Sequence, residues 1–391
     1  MQNLVILGAT GSIGTNTLDV VSRHPEAYQV HCLVAQKNDA LLFEQCVQCN
    51  PSFAWLENDE SAKRLALRLS EINHPTEVLT SYDELLAVIS DASVTTVVSA
   101  MVGAKGLVPT LSAIQVGKKV LLANKESLVT AGQLFMDAVK QHHATLIPLD
   151  SEHSAIFQCL PNGLDTESIG LSKLILTASG GPFRTKTLEE MRSVTPAEAV
   201  AHPNWSMGQK ISVDSASMMN KGLELIEAHW LFGVPSSQID IVVHPESIVH
   251  SMAQFVDGST IAHLGDHDMR CPISVGLSWP QRITSGVNDL DLVALSKLHF
   301  EAADETRFLN LKLARNACEA GQSAAAILNA ANEVAVEAFL QKKIGFLSIA
   351  EINDRVLQAT PLSPLDSIES VIAVDTSARQ LASSFITKEG G

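Results

Sequence analysis

Short apolar runs alternate with helical spacing along the first 149 residues of the chain. Continuous apolar runs separated by crossover segments are typical of parallel strands that are covered on both faces. This pattern predicts a doubly wound, Rossmann-like α/β domain at residues 1–149. The predicted strands are residues 4–9, 28–35, 52–57, 94–101, 118–123 and 144–149.

The pattern changes after Asp150, where apolar runs follow one another closely with turn residues between them. Such spacing predicts antiparallel pairing in an α+β domain. We place this central catalytic domain at residues 150–278. Its predicted strands are residues 173–179, 239–245, 248–259 and 260–266.

The last part of the chain divides into two further segments. Residues 279–304 are rich in Pro, Ser and Asp, which indicates a linker. Residues 305–391 contain LNLKLARNACEAG and SAAAILNAANEVAVEAFLQKKI, whose spacing predicts helices. We therefore expect a small C-terminal helical domain.

Composition narrows the function classes. The chain has 391 residues, 46% of them hydrophobic, and a formal charge of 27 − 43 = −16. Such a charge disfavours nucleic acid and anionic membranes as partners. Six cysteines are too few for a secreted disulfide scaffold, and Cys46 and Cys49 lack the second pair that a structural zinc site needs. The N-terminus resembles neither a signal peptide nor a membrane span, so we expect a cytoplasmic protein.

A glycine-rich turn follows the first predicted strand, at Gly8-Ala9-Thr10-Gly11-Ser12-Ile13-Gly14. Glycines at a strand-to-helix turn permit close approach of a pyrophosphate to the helix N-terminus. The spacing is G-x-x-G-x-x-G rather than G-x-G-x-x-G, so a structural turn is the alternative. Its position at the start of a βαβ pattern favours dinucleotide binding.

The end of the second strand bears on which dinucleotide is bound. An acidic residue there favours NAD, because it binds the ribose 2′-hydroxyl and repels a 2′-phosphate. This chain has Ala35-Gln36-Lys37-Asn38. A cation without a carboxylate favours NADP over NAD, and the alternative is that Lys37 is a solvated surface residue.

Two carboxylates stand at the entry to the central domain, in Asp150-Ser151-Glu152. In an extended chain, residues two apart share a face, so both carboxylates can converge on one hard cation such as Mg²⁺ or Mn²⁺. Solvated loop acids, or a helix N-cap at Asp150 or Ser151, are the alternative.

A second polar cluster lies in residues 215–227, which have helix-compatible spacing. Asn220, Lys221 and Glu224 fall within one turn on one face, a set that suits a phosphorylated polyol bound through a metal. The alternative is an ordinary surface Lys–Glu pair. Glu227, one turn on, is a rival metal ligand.

Two segments have the composition of binding loops. Ser179-Gly180-Gly181-Pro182-Phe183 follows a predicted strand, and its glycines can present backbone N–H groups to a phosphate. Residues 201–208 place Trp205 in a polar loop bounded by Pro203 and Gly208. This loop is either a lid that excludes water or a cover with a core tryptophan beneath it.

These motifs together resemble 1-deoxy-D-xylulose 5-phosphate reductoisomerases, and the resemblance spans nearly the whole chain in the right order. The matching segments are GATGSIG (8–14), NKE (124–126), LDSEHSAIFQ (149–158), ASGGPF (178–183), HPNWSMGQKISVDSASMMNKGLE (202–224) and HPESIVHSM (244–252).

The resemblance implies conversion of 1-deoxy-D-xylulose 5-phosphate to 2-C-methyl-D-erythritol 4-phosphate in the non-mevalonate isoprenoid pathway. NADPH and a divalent Mg²⁺, Mn²⁺ or Co²⁺ ion are the implied cofactors, and a homodimer is the implied assembly. The implied metal ligands are Asp150, Glu152 and Glu224, which disfavours Glu227. The implied substrate contacts are Lys125, Ser151, Glu152, Ser179, His202, Ser215, Asn220, Lys221 and Glu224. The implied NADPH contacts are Thr10, Gly11, Ser12, Ile13, Lys37, Asn38, Asn124, Glu126 and Gly208.

The implied chemistry assigns catalytic roles to Lys125, Glu152 and Lys221. The two ammonium groups add positive charge near the reacting oxygens, and Glu152 exchanges a proton. Isomerisation by retro-aldol and aldol steps precedes hydride transfer, with a concerted α-ketol shift as the alternative. The chain departs from many relatives at Gln36, where they have Gly, and from some at Ala201, where they have a basic residue.

Two other classes of protein have a domain order like the one predicted here. An NADP-dependent semialdehyde or homoserine-type dehydrogenase is one, and its acylating form needs a nucleophilic cysteine, for which the central domain offers Cys159 and Cys271. A nucleotide-sensing protein on the same fold is the other. It leaves the two carboxylate clusters unexplained.

Overall fold

A computed structural model describes residues 1–161, 163–164, 166, 169–201 and 208–389. The chain divides into two units. The first comprises Met1–Ser127, Phe135–Ser154 and Asp268–Asn288, and the second comprises Leu128–Leu134, Ala155–His267 and Asp289–Gly391.

Seven parallel strands form the sheet of the first unit, in the order β4-β3-β2-β1-β5-β6-β7. The central β1 carries four consecutive fully buried residues, Leu4 to Leu7, because helices cover both sheet faces. The strands are β1 Gln2–Leu7, β2 Tyr28–Ala35, β3 Phe53–Leu56, β4 Glu77–Val78, β5 Thr96–Ser99, β6 Lys119–Leu122 and β7 Thr145–Pro148.

Helices connect successive strands of this sheet, as the doubly wound pattern predicts. They are α1 Ser12–Ser22, α2 Asp39–Cys49, α3 Asp59–Glu71, α4 Tyr82–Ser90, α5 Leu107–Gln115, α6 Lys125–Gln141 and α7 Ser151–Cys159, with a 3₁₀ turn at Ala104–Gly106. The boundaries between the two units fall within α6 and α7. Helix α6 is kinked at Ala131, whose φ is −137°.

A mixed sheet forms the second unit, in the order β11-β10-β8-β9-β12. Strands β10 and β11 are antiparallel, as predicted, whereas β8 and β9 are parallel. The strands are β8 Leu171–Ala178, β9 Ile239–Val243, β10 Val249–Phe255, β11 Thr260–Leu264 and β12 Glu301–Ala302. The helices between β8 and β9 are α8 Leu188–Met191, α9 Pro196–Val200, α10 Gln209–Ala216 and α11 Met219–Phe232, with a 3₁₀ turn at Ser236–Gln238.

The remaining helices follow β11. They are α12 Arg270–Ser278, α13 Leu292–Leu295, α14 Leu309–Ala320, α15 Ala324–Leu340, α16 Ser348–Ala359 and α17 Ile368–Glu389. The helical C-terminal region is thus as predicted, and its apolar side chains join those of α10 in one core that includes Val213, Leu311, Ile327 and Val356.

Helix α12 belongs to the first unit, although the sequence analysis assigned it to the central domain. Lys119 Nζ of β6 donates to Leu277 O at 2.8 Å, and Arg270 Nη1 lies 2.9 Å from Asp19 Oδ2 of α1. The predicted boundary at 278 therefore divides a segment, 268–288, that the structure keeps with the nucleotide-binding sheet. The sequence of α12 does not indicate which sheet this helix covers.

The predicted linker also contains regular structure, namely α13 and β12. Strand β12 is two residues long and pairs with β9 through Glu301 and Ala302. Such short elements leave no periodicity in a sequence. Among the described residues, no helix combines the length and the apolar character needed to cross a membrane.

Candidate active site

The glycine turn after β1 has the geometry of a dinucleotide-binding loop. Gly8 has a φ of +89°, and a Cβ there would lie 2.5 Å from Ala100 O. A Cβ on Gly14 would lie 2.4 Å from Ala9 O, so both positions require glycine. No side chain caps the N-terminus of α1, which leaves its first backbone N–H groups available to an anion.

The predicted NADPH contacts of the first unit lie in this turn and at the ends of neighbouring strands. Thr10 and Gly11 lie in the turn, and Ser12 and Ile13 open α1. Gly8 N and Ala9 N donate to Val34 O at 2.9 and 2.8 Å, which ties the turn to β2.

Lys37 and Asn38 are exposed at the carboxyl end of β2. The Asn38 side chain caps α2, because its Oδ1 accepts a hydrogen bond from Leu41 N at 3.2 Å. Asn38 therefore has a structural role whether or not it also contacts a cofactor.

Asn124 and Glu126 are buried at the start of α6, beside Lys125. Asn124 Oδ1 accepts from Ser127 N at 3.3 Å, and its Nδ2 donates to Gly103 O at 3.0 Å. The same amide thus caps α6 and holds the loop that follows β5. A side chain on Gly106 would meet this amide at 2.2 Å, so the packing there is close.

Lys125 is paired with the first predicted metal ligand. Its Nζ lies 2.9 Å from Asp150 Oδ2, and both side chains are close to nine-tenths buried. His153, which the sequence analysis did not single out, is fully buried with its Nδ1 3.6 Å from Asp150 Oδ1. The i, i+3 spacing of Asp150 and His153 on a helical segment was the available indication.

Glu152 is helical, and the extended conformation assumed in the sequence analysis is wrong here. Helix α7 begins at Ser151, and Asp150 Oδ1 accepts a hydrogen bond from Glu152 N at 3.3 Å. Asp150 therefore caps the N-terminus of α7, which was the alternative interpretation of this segment. Ser151 Oγ donates to Glu152 Oε2 at 2.5 Å, which orients that carboxylate.

Asn220, Lys221 and Glu224 share one face of α11, as predicted. Asn220 Nδ2 and Lys221 Nζ both donate to the Glu224 carboxylate. Lys221 is 4% exposed and Glu224 is 1% exposed, so this is a buried pair and not the surface pair that was the alternative. Glu227 is also fully buried.

Residues 215–227 do not form one helix. Helix α10 ends at Ala216, and Met218 has a φ of +60° before α11 begins at Met219. Ser215 therefore lies on a different helix from Asn220. A left-handed residue other than glycine is rare, and nothing in the spacing of this segment indicates it.

The glycine turn after β8 packs against Ser215. Gly181 has a φ of +66°, and a Cβ there would lie 2.7 Å from Ser215 O. Gly181 N donates to Ser179 Oγ at 3.1 Å. Two hydroxyl groups that are predicted substrate contacts, those of Ser179 and Ser215, thus belong to segments in direct backbone contact.

The loop that precedes α10 is only partly described. His202, a predicted substrate contact, and Trp205, the residue of the predicted lid or cover, lie outside the described residues. Gly208 is described and precedes α10 with no side-chain cap.

Cys159 of the central region does not resemble a nucleophile. Burial raises the pKa of the Cys159 thiol to about 11, the opposite of the lowered pKa that a reactive thiolate needs. All six cysteines of the chain are free thiols.

A chain of buried polar side chains, not predicted from the sequence, lies beside Ser215. Lys210 Nζ lies 2.9 Å from Asp214 Oδ2, and Asn332 Nδ2 donates to Asp214 Oδ1 at 2.8 Å. Asn353 Nδ2 in turn donates to Asn332 Oδ1 and Asn310 Oδ1, at 3.2 and 3.0 Å. Asparagines at core positions of otherwise apolar helices were the available indication.

Comparisons with known proteins agree with the resemblance. The family model for 1-deoxy-D-xylulose 5-phosphate reductoisomerase matches residues 4–132, and those for its C-terminal domains match 146–232 and 264–381. Relatives of that name from Pseudomonas putida and Dechloromonas aromatica are 53% and 52% identical over 100% of this chain and 98% of their own. The chain belongs to the 1-deoxy-D-xylulose 5-phosphate reductoisomerase family.

Solved structures of family members support the fold. A DOX-P reductoisomerase with magnesium has a TM-score of 0.95 at 42% identity, with 100% of both chains covered. The Zymomonas mobilis enzyme with NADPH has a TM-score of 0.92 at 44% identity, with 98% of both chains covered. A further member holds NADPH, fosmidomycin and magnesium.

Membership of this reductoisomerase family confirms four predictions. The fold class is an N-terminal Rossmann-like domain followed by α+β and helical parts. The activity is the NADPH- and divalent-metal-dependent conversion of 1-deoxy-D-xylulose 5-phosphate to 2-C-methyl-D-erythritol 4-phosphate. The enzyme class is an NADP-dependent oxidoreductase, and the cofactors are NADPH and a divalent metal.

Proposed function

We propose that this chain performs the family's reaction with the residues predicted from its sequence, and that most of the NADPH contacts lie in residues 1–149 whereas most of the metal and substrate contacts lie in residues 150–278. The buried Lys221–Glu224 pair on α11, flanked by Asn220, is the observation that supports this assignment most directly. An ordinary surface salt bridge is exposed to solvent, whereas this pair is buried.

The proposed metal ligands are Asp150, Glu152 and Glu224. Carboxylate oxygens are the donors that Mg²⁺ and Mn²⁺ prefer, and within its own unit each carboxylate is already oriented by a polar neighbour. The bound ion supplies Lewis-acid polarisation of the substrate oxygens and a template for their orientation.

The proposed catalytic side chains are Lys125, Lys221 and Glu152. The two ammonium groups lie beside carboxylates in largely buried surroundings, where their charge acts on substrate oxygens with little screening by water. Glu152 Oε2 accepts a hydrogen bond from Ser151 Oγ at 2.5 Å. We assign proton exchange with the substrate to this carboxylate oxygen.

The phosphate of the substrate is assigned to Ser179, Ser215, Asn220 and His202. The contact between Gly181 and the Ser215 backbone supports the first two, because it fixes both hydroxyl-bearing segments against one another. Binding energy from this non-reacting group orients the reacting carbons. The remaining substrate contacts are assigned to Lys125, Ser151, Glu152, Lys221 and Glu224.

NADPH is assigned to the turn before α1 and to three further places. Thr10, Gly11, Ser12 and Ile13 would bind the pyrophosphate through the uncapped helix N-terminus. Lys37 and Asn38 would bind the 2′-phosphate. Asn124 and Glu126, at the start of α6, and Gly208, before α10, complete the assignment.

The direct test follows NADPH absorbance with 1-deoxy-D-xylulose 5-phosphate and Mg²⁺ or Mn²⁺, before and after chelation. Oxidation that stops on chelation supports the proposal. Fosmidomycin, a ligand in two of the solved family structures, is expected to stop it as well. Folded protein that oxidises no NADPH with either metal would contradict the proposed function.

The same chain is proposed to act as a cytoplasmic homodimer. Strand β11 is the edge of its sheet, and Ile261 and Leu264 on it are 47% and 38% exposed. An open, partly apolar edge strand favours pairing with a second copy. Light scattering should give twice the chain mass, and Ile261→Lys should lower it. A wild-type monomer at working concentration would contradict this assembly.

A further inference from the structure

An arginine of α3 lies at the cofactor-binding end of β2. Arg64 Nη2 donates to Asp39 Oδ1 at 2.6 Å, and Arg64 Nε donates to Asp39 Oδ2 at 3.1 Å. Asp39 is the first residue of α2 and directly follows Lys37 and Asn38. The Asp39 side chain is 15% exposed, whereas that of Arg64 is 55% exposed.

Hydrogen bonds through Ser61 hold this pair against the loop after β2. Arg64 Nη2 also donates to Ser61 Oγ at 2.8 Å, and Ser61 Oγ donates to Lys37 O at 2.9 Å. Ser61 N in turn donates to the capping oxygen of Asn58 at 2.9 Å. The guanidinium is therefore fixed next to the backbone of Lys37 by bonds that use Nε and Nη2 and leave Nη1 outside them.

The position of Asp39 creates an electrostatic problem for NADP binding. A carboxylate at the end of the second strand favours the 2′-hydroxyl of NAD and repels a 2′-phosphate. Arg64 offsets this charge, and its hydrogen bond is the main reason that the pKa of Asp39 is lowered. Asp39 thus stays ionised and paired, and Lys37 remains as excess positive charge.

We propose that Arg64 is a specificity-determining residue for NADPH. It neutralises Asp39, so that Lys37 remains as the excess positive charge at the site that receives the 2′-phosphate, and its Nη1 is a further donor to that phosphate. A guanidinium suits this double role because two of its nitrogens can hold a carboxylate while the third donates to another anion. This inference rests on the proposed NADPH site at Lys37 and Asn38.

The neighbouring charges on α3 offer a matched control. Lys63 precedes Arg64 in the chain and its Nζ lies 2.8 Å from Glu60 Oε1, with both side chains largely exposed. Lys63 carries the same charge on the same helix but is paired away from Asp39. If NADPH binding depended only on the positive charge of α3, removing the charge of Lys63 would weaken it as much as removing that of Arg64. A specific contribution of Arg64 predicts a loss for Arg64 alone.

Calorimetric binding of NADPH and NADH to the full chain tests the inference, using Arg64→Gln, Asp39→Asn, the double variant and Lys63→Gln. We expect Arg64→Gln to weaken NADPH binding about tenfold or more and to change NADH binding less than about twofold. The double variant should regain part of the loss, because the repelling carboxylate is gone. Lys63→Gln should match wild type.

Adenosine 2′,5′-bisphosphate and adenosine 5′-monophosphate isolate the 2′-phosphate from the rest of the cofactor. Only the bisphosphate should respond to Arg64→Gln. Equal losses for NADPH and NADH, or no loss for either, would overturn the role of Arg64. The proposed site itself is tested by Lys37→Gln. If this variant binds NADPH as tightly as the wild-type protein does, the proposed site would be contradicted.

Discussion

Asn332 Nδ2 donates a hydrogen bond to Asp214 Oδ1 at 2.8 Å, and both side chains are 1% exposed or less. Asn332 lies on α15, in the predicted C-terminal helical domain, whereas Asp214 lies on α10 and directly precedes Ser215. The C-terminal helices therefore hold the helix that carries a proposed phosphate ligand. This contact gives a domain without proposed site residues a positioning role.

Asn332→Ala should lower the free energy of unfolding by about 2–3 kcal/mol, because Asp214 Oδ1 and Asn353 Nδ2, both buried, each lose a hydrogen bond to Asn332. The same change should raise the KM for 1-deoxy-D-xylulose 5-phosphate more than it lowers kcat, since Ser215 loses its support. Urea denaturation and steady-state kinetics measure the two effects.

Gln358→Ala is the matched control for this stability prediction. Gln358 Nε2 donates to Asp354 Oδ2 at 2.8 Å, but on an exposed face of α16. We expect a change within about 0.5 kcal/mol. If both variants had the same small effect, the buried chain would not stabilise the fold.

Glu224→Gln should lower kcat/KM at least about 100-fold while the dissociation constant of NADPH changes less than about twofold. The carboxylate is a proposed metal ligand, and the variant keeps its size but removes the charge. Steady-state kinetics measure the first effect and cofactor fluorescence measures the second.

Glu227→Gln tests the rival assignment of the metal ligand, because Glu227 lies one turn further along α11 and is also buried. Titration with Mn²⁺ compares the metal affinity of the two variants. A larger loss of metal affinity in Glu227→Gln than in Glu224→Gln would make Glu227 the ligand and reverse our assignment.

Gly181→Ala should destabilise the protein by roughly 2–4 kcal/mol and raise the KM for substrate about tenfold or more. The new Cβ would lie 2.7 Å from Ser215 O, and the φ of +66° is unfavourable for alanine. Denaturation and kinetics with varied substrate measure the change.

Gly233→Ala separates the two causes. Its φ of +63° is similar, but a Cβ there would meet nothing within 4 Å. We expect a cost of about 1 kcal/mol from the backbone alone and an unchanged KM. Equal effects of the two variants would show that the contact with Ser215 is unimportant.

Stability should depend on pH through Lys119. Burial lowers the pKa of this lysine from 10.5 to about 8. Below pH 8 the group is charged in both states and folding bears the full desolvation cost; between pH 8 and 10.5 only the unfolded chain keeps the proton. The cost is thus relieved as pH rises.

Lys119→Met removes this dependence without removing the side chain's length. The unfolding free energy of wild type relative to the variant should rise by about 1–2 kcal/mol from pH 8 to pH 10, since partial exposure reduces the effect. Denaturation at both pH values measures it. A constant difference would mean that the pKa of Lys119 is not lowered.

Local patterns were informative wherever a segment's own residues decide its structure. The buried strand at Leu4 to Leu7, the helical face shared by Asn220, Lys221 and Glu224, and the glycine turn at Gly8 are each indicated by the spacing of residues within the segment itself. Strands β4 and β12 were missed because two residues cannot show a period.

The sequence by itself determined the alternation of strands and helices, the class of cofactor and, through its motifs, the family. Those properties depend on hydrophobic period, glycine placement and residue chemistry, which are local. Tertiary structure alone decided that α12 covers the nucleotide-binding sheet, that Met218 separates Ser215 from Asn220, and that Arg64 lies on Asp39. These are contacts between residues distant in the chain, or backbone conformations that packing imposes, and no local period encodes either.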